Sequence, residues 1–315
     1  VGEVAGEVER CLAREIAIDF GGARWITTGA GSSEGPARLL ATLLRARGVV
    51  AEYAPISSFI DGVPRAADAP GGPNGCVVVS QRLSPNARFP IARVAEYERM
   101  VLVTSVEDAP RNVEIARHGP REEDGLFLRV IGPAAAGATI LRLASATSPP
   151  NVASALASSR ARALGALAES GARADALFDV AAIVTTGELA AHCVGLEHKL
   201  LEGLGRAAPI VDLCALVHGP LQSFYDRDAV IIVLARDATR ALMARLARVL
   251  NPERHRVVRL ESSLPRAFAR VDFDLMLDHL LVEALRARPR DLADWPGKGR
   301  DSALYDLGGD LRPPF

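Results

Sequence analysis

The sequence predicts an α/β protein built on largely parallel sheet, and it runs through that plan twice. Helical periodicity alternates with short, apolar, strand-like runs along the whole chain. The same order of elements then recurs, with Thr-Thr-Gly closing the leading strand of each half at Thr27-Thr28-Gly29 and Thr185-Thr186-Gly187.

In the first half, apolar spacing predicts a helix from Val4 to Ile16 ahead of the strand Arg24-Trp25-Ile26-Thr27-Thr28-Gly29. A helix from about Gly35 to Arg47 follows. Extended runs come next at Val49 to Tyr53, Cys76-Val77-Val78-Val79-Ser80 and Met100 to Thr104, where β-branched residues suit a pleated, buried surface. In the second half a helix from Val152 to Glu169 precedes the strand Ala181 to Gly187. A further helix follows, then strands at Val211 to Cys214, Ala229 to Leu234 and Arg256 to Leu260. The expected boundary is Ser148-Pro149-Pro150-Asn151: prolines interrupt regular structure, and Asn151 is placed to cap the next helix. The chain thus divides into residues 1–150, 151–288 and a C-terminal arm, 289–315. Pro289, Pro296, Gly297, Gly299, Gly308, Gly309, Pro313 and Pro314 predict that the arm is irregular, either disordered or draped over a site.

With 315 residues, 49% hydrophobic and 24% charged, the composition is that of a soluble globular protein long enough for two cores. A net charge of −1 supplies no basic field for nucleic acid, and no apolar run is long enough to span a membrane. Cys11, Cys76, Cys193 and Cys214 are scattered with no CxxC pair, which excludes a cysteine-rich zinc site. Together with the absence of a signal peptide, this usage gives a cytoplasmic expectation.

Ligands of an open parallel sheet sit beyond the carboxyl ends of its strands. Two loops of the first half are suited to that place. Thr28-Gly29-Ala30-Gly31-Ser32-Ser33-Glu34-Gly35 runs straight into a helix, offering free amides and the hydroxyls of Ser32 and Ser33 to an anion. Ser80-Gln81-Arg82-Leu83-Ser84-Pro85-Asn86 is a second donor-rich strand-to-helix junction. For either loop alone, an ordinary turn with a Ser or Asn cap is the simpler reading; two in one half favour anion binding. The first loop also resembles a dinucleotide fingerprint, with Gly29, Gly31 and a ribose-facing carboxylate at Glu52, but Glu34 stands where the third glycine belongs.

In the second half, Lys199 and Glu202 are three apart and share a helical face, with Glu197 and His198 directed elsewhere. On spacing alone this is equally a solvated face. His192 and His198 are six apart, off any shared helical face, so no metal is called for, and no GxSxG elbow marks a nucleophilic serine.

These residues together resemble the sugar isomerase (SIS) family in its tandem form, of which the isomerase halves of glucosamine-6-phosphate synthases (glutamine:fructose-6-phosphate aminotransferases) are the best-known members. The resemblance covers nearly the whole chain. Gly31-Ser32-Ser33 matches the family's Gly-Thr-Ser loop. Ser80-Gln81 and Ser84-Pro85-Asn86 match part of its Ser-Gln-Ser-Gly-Glu-Thr phosphate loop, with Arg82-Leu83 replacing Ser-Gly. Lys199, Glu202 and, sixteen residues later, His218-Gly219-Pro220-Leu221 match its helical motif and its His-Gly-Pro-Leu. Gly195 stands where the family has a carboxylate, and the C-terminal lysine has no match in register, which leaves Lys298 and Arg300 as candidates.

The resemblance implies two doubly wound, mostly parallel, five-stranded SIS (flavodoxin-like) domains, each a three-layer αβα sandwich, in a homodimer that binds a hexose or hexosamine phosphate and uses no cofactor. It implies phosphate binding by Gly31, Ser32, Ser33, Ser80, Gln81, Arg82, Ser84 and Asn86. Glu202 is implied as the carboxylate base between C1 and C2, His218 as the aid to ring opening, and Lys199 as the group that polarises or positions the sugar hydroxyls. Cys11 lies inside the first helix rather than at a glutaminase nucleophile's place, so the expected activity is aldose-ketose isomerisation, or deamination or deglycation of an aminosugar phosphate, without a glutaminase domain. A non-catalytic sugar-phosphate sensor is the rival reading; no helix-turn-helix accompanies it. An NAD-linked oxidoreductase, resting on Gly29, Gly31 and Glu52, is the third.

Overall fold

The computed structural model describes residues 2–60, 62–64, 74–108, 110–119, 123, 125–300 and 302–305. The elements are α1 (Gly2–Ala13), β1 (Arg24–Gly29), α2 (Glu34–Ala46), β2 (Ala51–Tyr53), β3 (Asn74–Val79), α3 (Arg88–Ala92), β4 (Arg99–Thr104), β5 (Glu114–Arg117) and α4 (Ile131–Leu143). Then come α5 (Val152–Ala157), α6 (Ser159–Glu169), β6 (Val180–Thr185), α7 (Glu188–Cys193), α8 (Leu196–Leu204), β7 (Ile210–Asp212), α9 (Leu213–Leu216), β8 (Ala229–Arg236), α10 (Arg240–Met243), β9 (His255–Ser262), α11 (Arg266–Ala287) and α12 (Ser302–Tyr305).

The chain forms two compact units. One holds the described residues of Glu7–Gly125, Ile131–Thr147 and those from Asp294 onward; the other holds Ser148–Ala293, Leu126–Val130 and the described residues before Glu7. In the first unit five parallel strands run in the order β2-β1-β3-β4-β5. Alternate residues of those strands serve opposite faces. Ile26, Cys76, Val78, Met100 and Leu102 pack with Phe59, Phe89 and Tyr97 on the side of α3. Helices α2 and α4 cover the other face. Burial on both sides explains why the central strands read as continuous apolar runs.

In the second unit the order is β7-β6-β8-β9, again all parallel. Ile183, Val230, Ile232, Leu234 and Leu260 face α6, α8 and α11, while Val184, Val211, Ile231 and Val233 face Leu216, Leu221 and Met243. This sheet has four strands among the described residues, where five were expected.

Other differences have local causes. The predicted helix over 152–169 is broken at Ser158 into α5 and α6. Asn151 stands at the N-cap position of α5, but its side chain makes no capping bond and its amide donates to Ser263 Oγ at 3.5 Å. The strand expected to end at Gly187 stops at Thr185, because Gly187 turns to φ 58°. Of the arm, residues 301 and 306–315, with Gly308, Gly309, Pro313 and Pro314, lie outside the described residues.

Candidate functional site

The first sheet changes direction of winding between β1 and β3: from β1 the chain moves outward to β2 and then returns to the other side as β3. A crevice opens above the carboxyl ends of two such neighbouring strands. Gly29 pairs in register with Val79, so the two donor-rich loops leave the sheet side by side.

After β1, Gly31 takes φ 57° and Gly31–Ser33 make a 3-10 turn leading into α2. Gly29 admits no side chain, since a Cβ there would lie 2.6 Å from the Ser33 carbonyl oxygen. Ser33 occupies the N-cap position of α2 without using its hydroxyl as a cap. Beside this loop, Tyr53 donates its hydroxyl to the Gly29 carbonyl at 3.2 Å. Burial first, and the neighbouring Glu34 second, push the Tyr53 pKa up to about 12, so it stays a donor. Arg38 lies 4.1 Å over the Tyr53 ring and bonds Glu34 Oε1 at 2.8 Å.

After β3, Ser80 is buried; its hydroxyl accepts from the Ser84 amide at 3.1 Å and so folds the loop back on its own start. The Gln81 carbonyl accepts from the Ser105 amide at 3.0 Å and from the hydroxyls of Ser105 at 2.6 Å and Thr104 at 3.1 Å. Its side chain covers Gly132, where a Cβ would lie 1.7 Å from Nε2. The N-terminus of α4 beneath it is held by Glu123, whose carboxylate accepts from the amides of Ile131 at 2.8 Å and Gly132 at 3.1 Å. Leu83 adopts φ 54°, the left-handed conformation that a glycine would take without strain. Asn86 donates its amide to the Leu304 carbonyl in α12 at 3.2 Å, so the arm reaches this loop. Gly31, Ser32, Ser33, Gln81, Arg82, Ser84 and Asn86 are all half-buried. The structure thus brings together the candidates of the first half.

In the second unit, glycines in left-handed conformation bound α8 at both ends, Gly195 at φ 95° and Gly205 at φ 68°. Leu196, Lys199, Leu200, Gly203 and Leu204 form its buried stripe at helical spacing. Lys199 therefore points into the core, where it is 1% exposed. Its ammonium contacts Asp274 and also bonds Asp278 Oδ1 at 2.5 Å. Arg270 completes the group, with Nη1 3.3 Å from Asp274 Oδ2 and Nε donating to the His192 carbonyl at 2.8 Å. Burial pulls the Lys199 pKa down, but the two aspartates outweigh it and hold it above the ordinary value. The ammonium is charged and enclosed by the carboxylates of Asp274 and Asp278. Glu202 is half-buried on the flank of the same helix.

His218 is exposed in the turn after α9, followed by Gly219 at φ 135° and by Pro220, which opens a 3-10 turn. In the arm, the Lys298 ammonium lies 5.1 Å from the Trp295 ring centre, and the Arg300 amide bonds the Gly297 carbonyl at 2.9 Å. Sequence reasoning missed Arg270, Asp274 and Asp278. Their signal was present, as charges at i, i+4 and i+8 on a helix that also carries Asp272 and, toward its end, Glu283 and Arg286.

No family model and no curated protein matches the chain by sequence. Solved structures match it in fold. Over 94% of this chain and 96% of the other, it superposes on the C-terminal domain of glucosamine-fructose-6-phosphate aminotransferase from Francisella tularensis, with TM-score 0.66 and 16% identity. Glucosamine-6-phosphate deaminase from Thermotoga maritima matches with TM-score 0.74 and 11% identity, covering 93% of this chain and 95% of the deaminase. Tagatose-6-phosphate ketose/aldose isomerase from Escherichia coli matches with TM-score 0.64 and 15% identity, covering 93% and 89%. The fold of this chain is the fold of phosphosugar isomerases and deaminases.

Proposed function

We propose that the chain binds a hexose or hexosamine phosphate and acts on it as an aldose-ketose isomerase or an aminosugar-phosphate deaminase. The observation that carries this reading is the pairing of two donor-rich loops at the β1/β3 switch point of the first sheet. The phosphate is assigned to the amides and hydroxyls of Gly31, Ser32, Ser33, Ser80, Gln81, Ser84 and Asn86, with Arg82 clamping it in place of the family's hydroxyl. The proteins that share the fold are named for an aminotransferase, a deaminase and a ketose/aldose isomerase of six-carbon sugar phosphates, which supports that substrate class.

Glu202 is assigned the proton transfer: its carboxylate takes the proton from one of C1 and C2 of the open-chain sugar and returns it to the other. His218 is assigned the ring-opening proton. Lys199 is not carried into this scheme, because its ammonium is committed to Asp274 and Asp278. Wild-type protein in deuterated water is expected to label C2 of a hexose 6-phosphate. Glu202→Gln should lower labelling by at least about 100-fold while the dissociation constant changes by less than about threefold. Labelling that survives in Glu202→Gln removes that residue from the mechanism.

A sensor without turnover is the second reading, favoured by Arg82-Leu83 in the phosphate loop and by the enclosure of Lys199. Binding of several sugar phosphates with no labelling by the wild type would select it.

A further inference from the structure

We propose that Lys199 is a positioning residue. With Asp274, Asp278 and Arg270 it forms a charge-balanced pin that seats α8 on α11, and through that seat it sets the place of Glu202. The inference rests on the assignment of Glu202 as the proton-transfer residue.

Four observations converge on the pin. Lys199 falls on the core stripe of α8 between Leu196 and Gly203, a position that packing would give to an apolar residue. Lys199, Arg270, Asp274 and Asp278 are each at most 1% exposed. Among the described residues two cations face two anions, so these four side chains balance in charge, and Asp274 is shared: one oxygen meets Lys199 and the other meets Arg270. Arg270 also holds the last turn of α7 through the His192 carbonyl, which ties α7, α8 and α11 together.

Direction matters more than strength here. Apolar side chains at the α8/α11 contact leave the helix free to settle at neighbouring rotations, whereas an ammonium that must meet two carboxylates four residues apart selects one. Glu202 lies three residues from Lys199 on a helix of nine, bounded by glycines at both ends. Its carboxylate therefore moves with the rotation of α8, and a displacement of about 1 Å is enough to slow a proton transfer about 100-fold.

The test separates a pin from a substrate contact. Lys199→Met leaves two buried aspartates facing one arginine. Lys199→Met with Asp278→Leu removes one cation and one anion of similar volume and leaves the Arg270–Asp274 pair intact. The single variant is expected to lower Tm by about 10 °C, to speed amide hydrogen exchange in α8, and to lower kcat for C2 labelling with little change in KM. The double variant is expected to restore Tm and α8 protection and to bring kcat to within about threefold of wild type, with an unchanged pH profile.

A double variant with wild-type Tm and α8 protection, but kcat still about 100-fold down, would show that the ammonium acts on the substrate and would overturn the proposal. Additive losses of Tm and protection would overturn it as well. If the wild type labels no sugar phosphate, the isomerase reading fails by itself, and α8 protection in the same variants still decides the pin.

Discussion

Leu83 shows how a single residue marks the site. It holds φ 54° between β3 and α3, where an L side chain costs about 1–2 kcal/mol, while its side chain packs on the core cluster that includes Phe89. The resemblance places a glycine at this position. The usual order of substitutions is therefore predicted to invert. Leu83→Ala loses the packing and keeps the strain, whereas Leu83→Gly loses the packing and relieves it, so in urea unfolding the Gly variant should be the more stable by about 1 kcal/mol. An Ala variant equal to or more stable than the Gly variant would refute the strain. The loops themselves were legible in the sequence, because strand, glycines and hydroxyls fall in one short window around Gly31 and another around Ser80. The fate of Lys199 was not. Spacing put it on one face with Glu202, but only the partner helix decides which flank of α8 is core, and its aspartates are some eighty residues away.

At the scale of elements, the same contrast separates what was legible from what was not. Strands β1, β3, β4, β6 and β8 stood out as apolar runs because both faces of each sheet are covered. Edge strand β5, Glu114–Arg117, buries one residue fully and carries no such run. Helix α4 is buried nearly all round and rich in Ala and Gly, so it shows no amphipathic period, and in α11 the buried charges interrupt the stripe.

The end of β5 makes a prediction of its own. His118, directly after it, is 1% exposed, and its ring nitrogens find no partner among the described residues. Burial first, then Arg14, lower its pKa from 6.5 to about 3. The unfolded chain thus takes up a proton that the folded chain refuses. The stability involved is fully present above pH 6.5 and is lost as pH falls toward about 3, a cost on the order of several kcal/mol. Tm is expected to fall more steeply between pH 7 and pH 4 in the wild type than in His118→Asn. Parallel curves would contradict the assignment.

For the molecule as a whole, the balance of charge is near neutral and the thiols are free. Cys11, Cys76 and Cys193 are buried and Cys214 is exposed. Burial raises the pKa of all three buried thiols, that of Cys193 to about 12. One thiol, Cys214, should therefore react with a thiol reagent in the native protein and all four in denaturant; a second fast native thiol would show that a buried site opens.

No helix among the described residues is long and apolar enough to cross a membrane. The two-sided parallel sheets and the placement of both donor loops at one switch point underlie the proposal that the chain binds a sugar phosphate. That claim meets its most direct test in a crystal grown with an open-chain hexitol 6-phosphate. The account predicts the phosphate at the carboxyl ends of β1 and β3, within hydrogen-bond reach of the hydroxyls of Ser33 and Ser80. A phosphate bound elsewhere, or no binding at millimolar ligand, would contradict it.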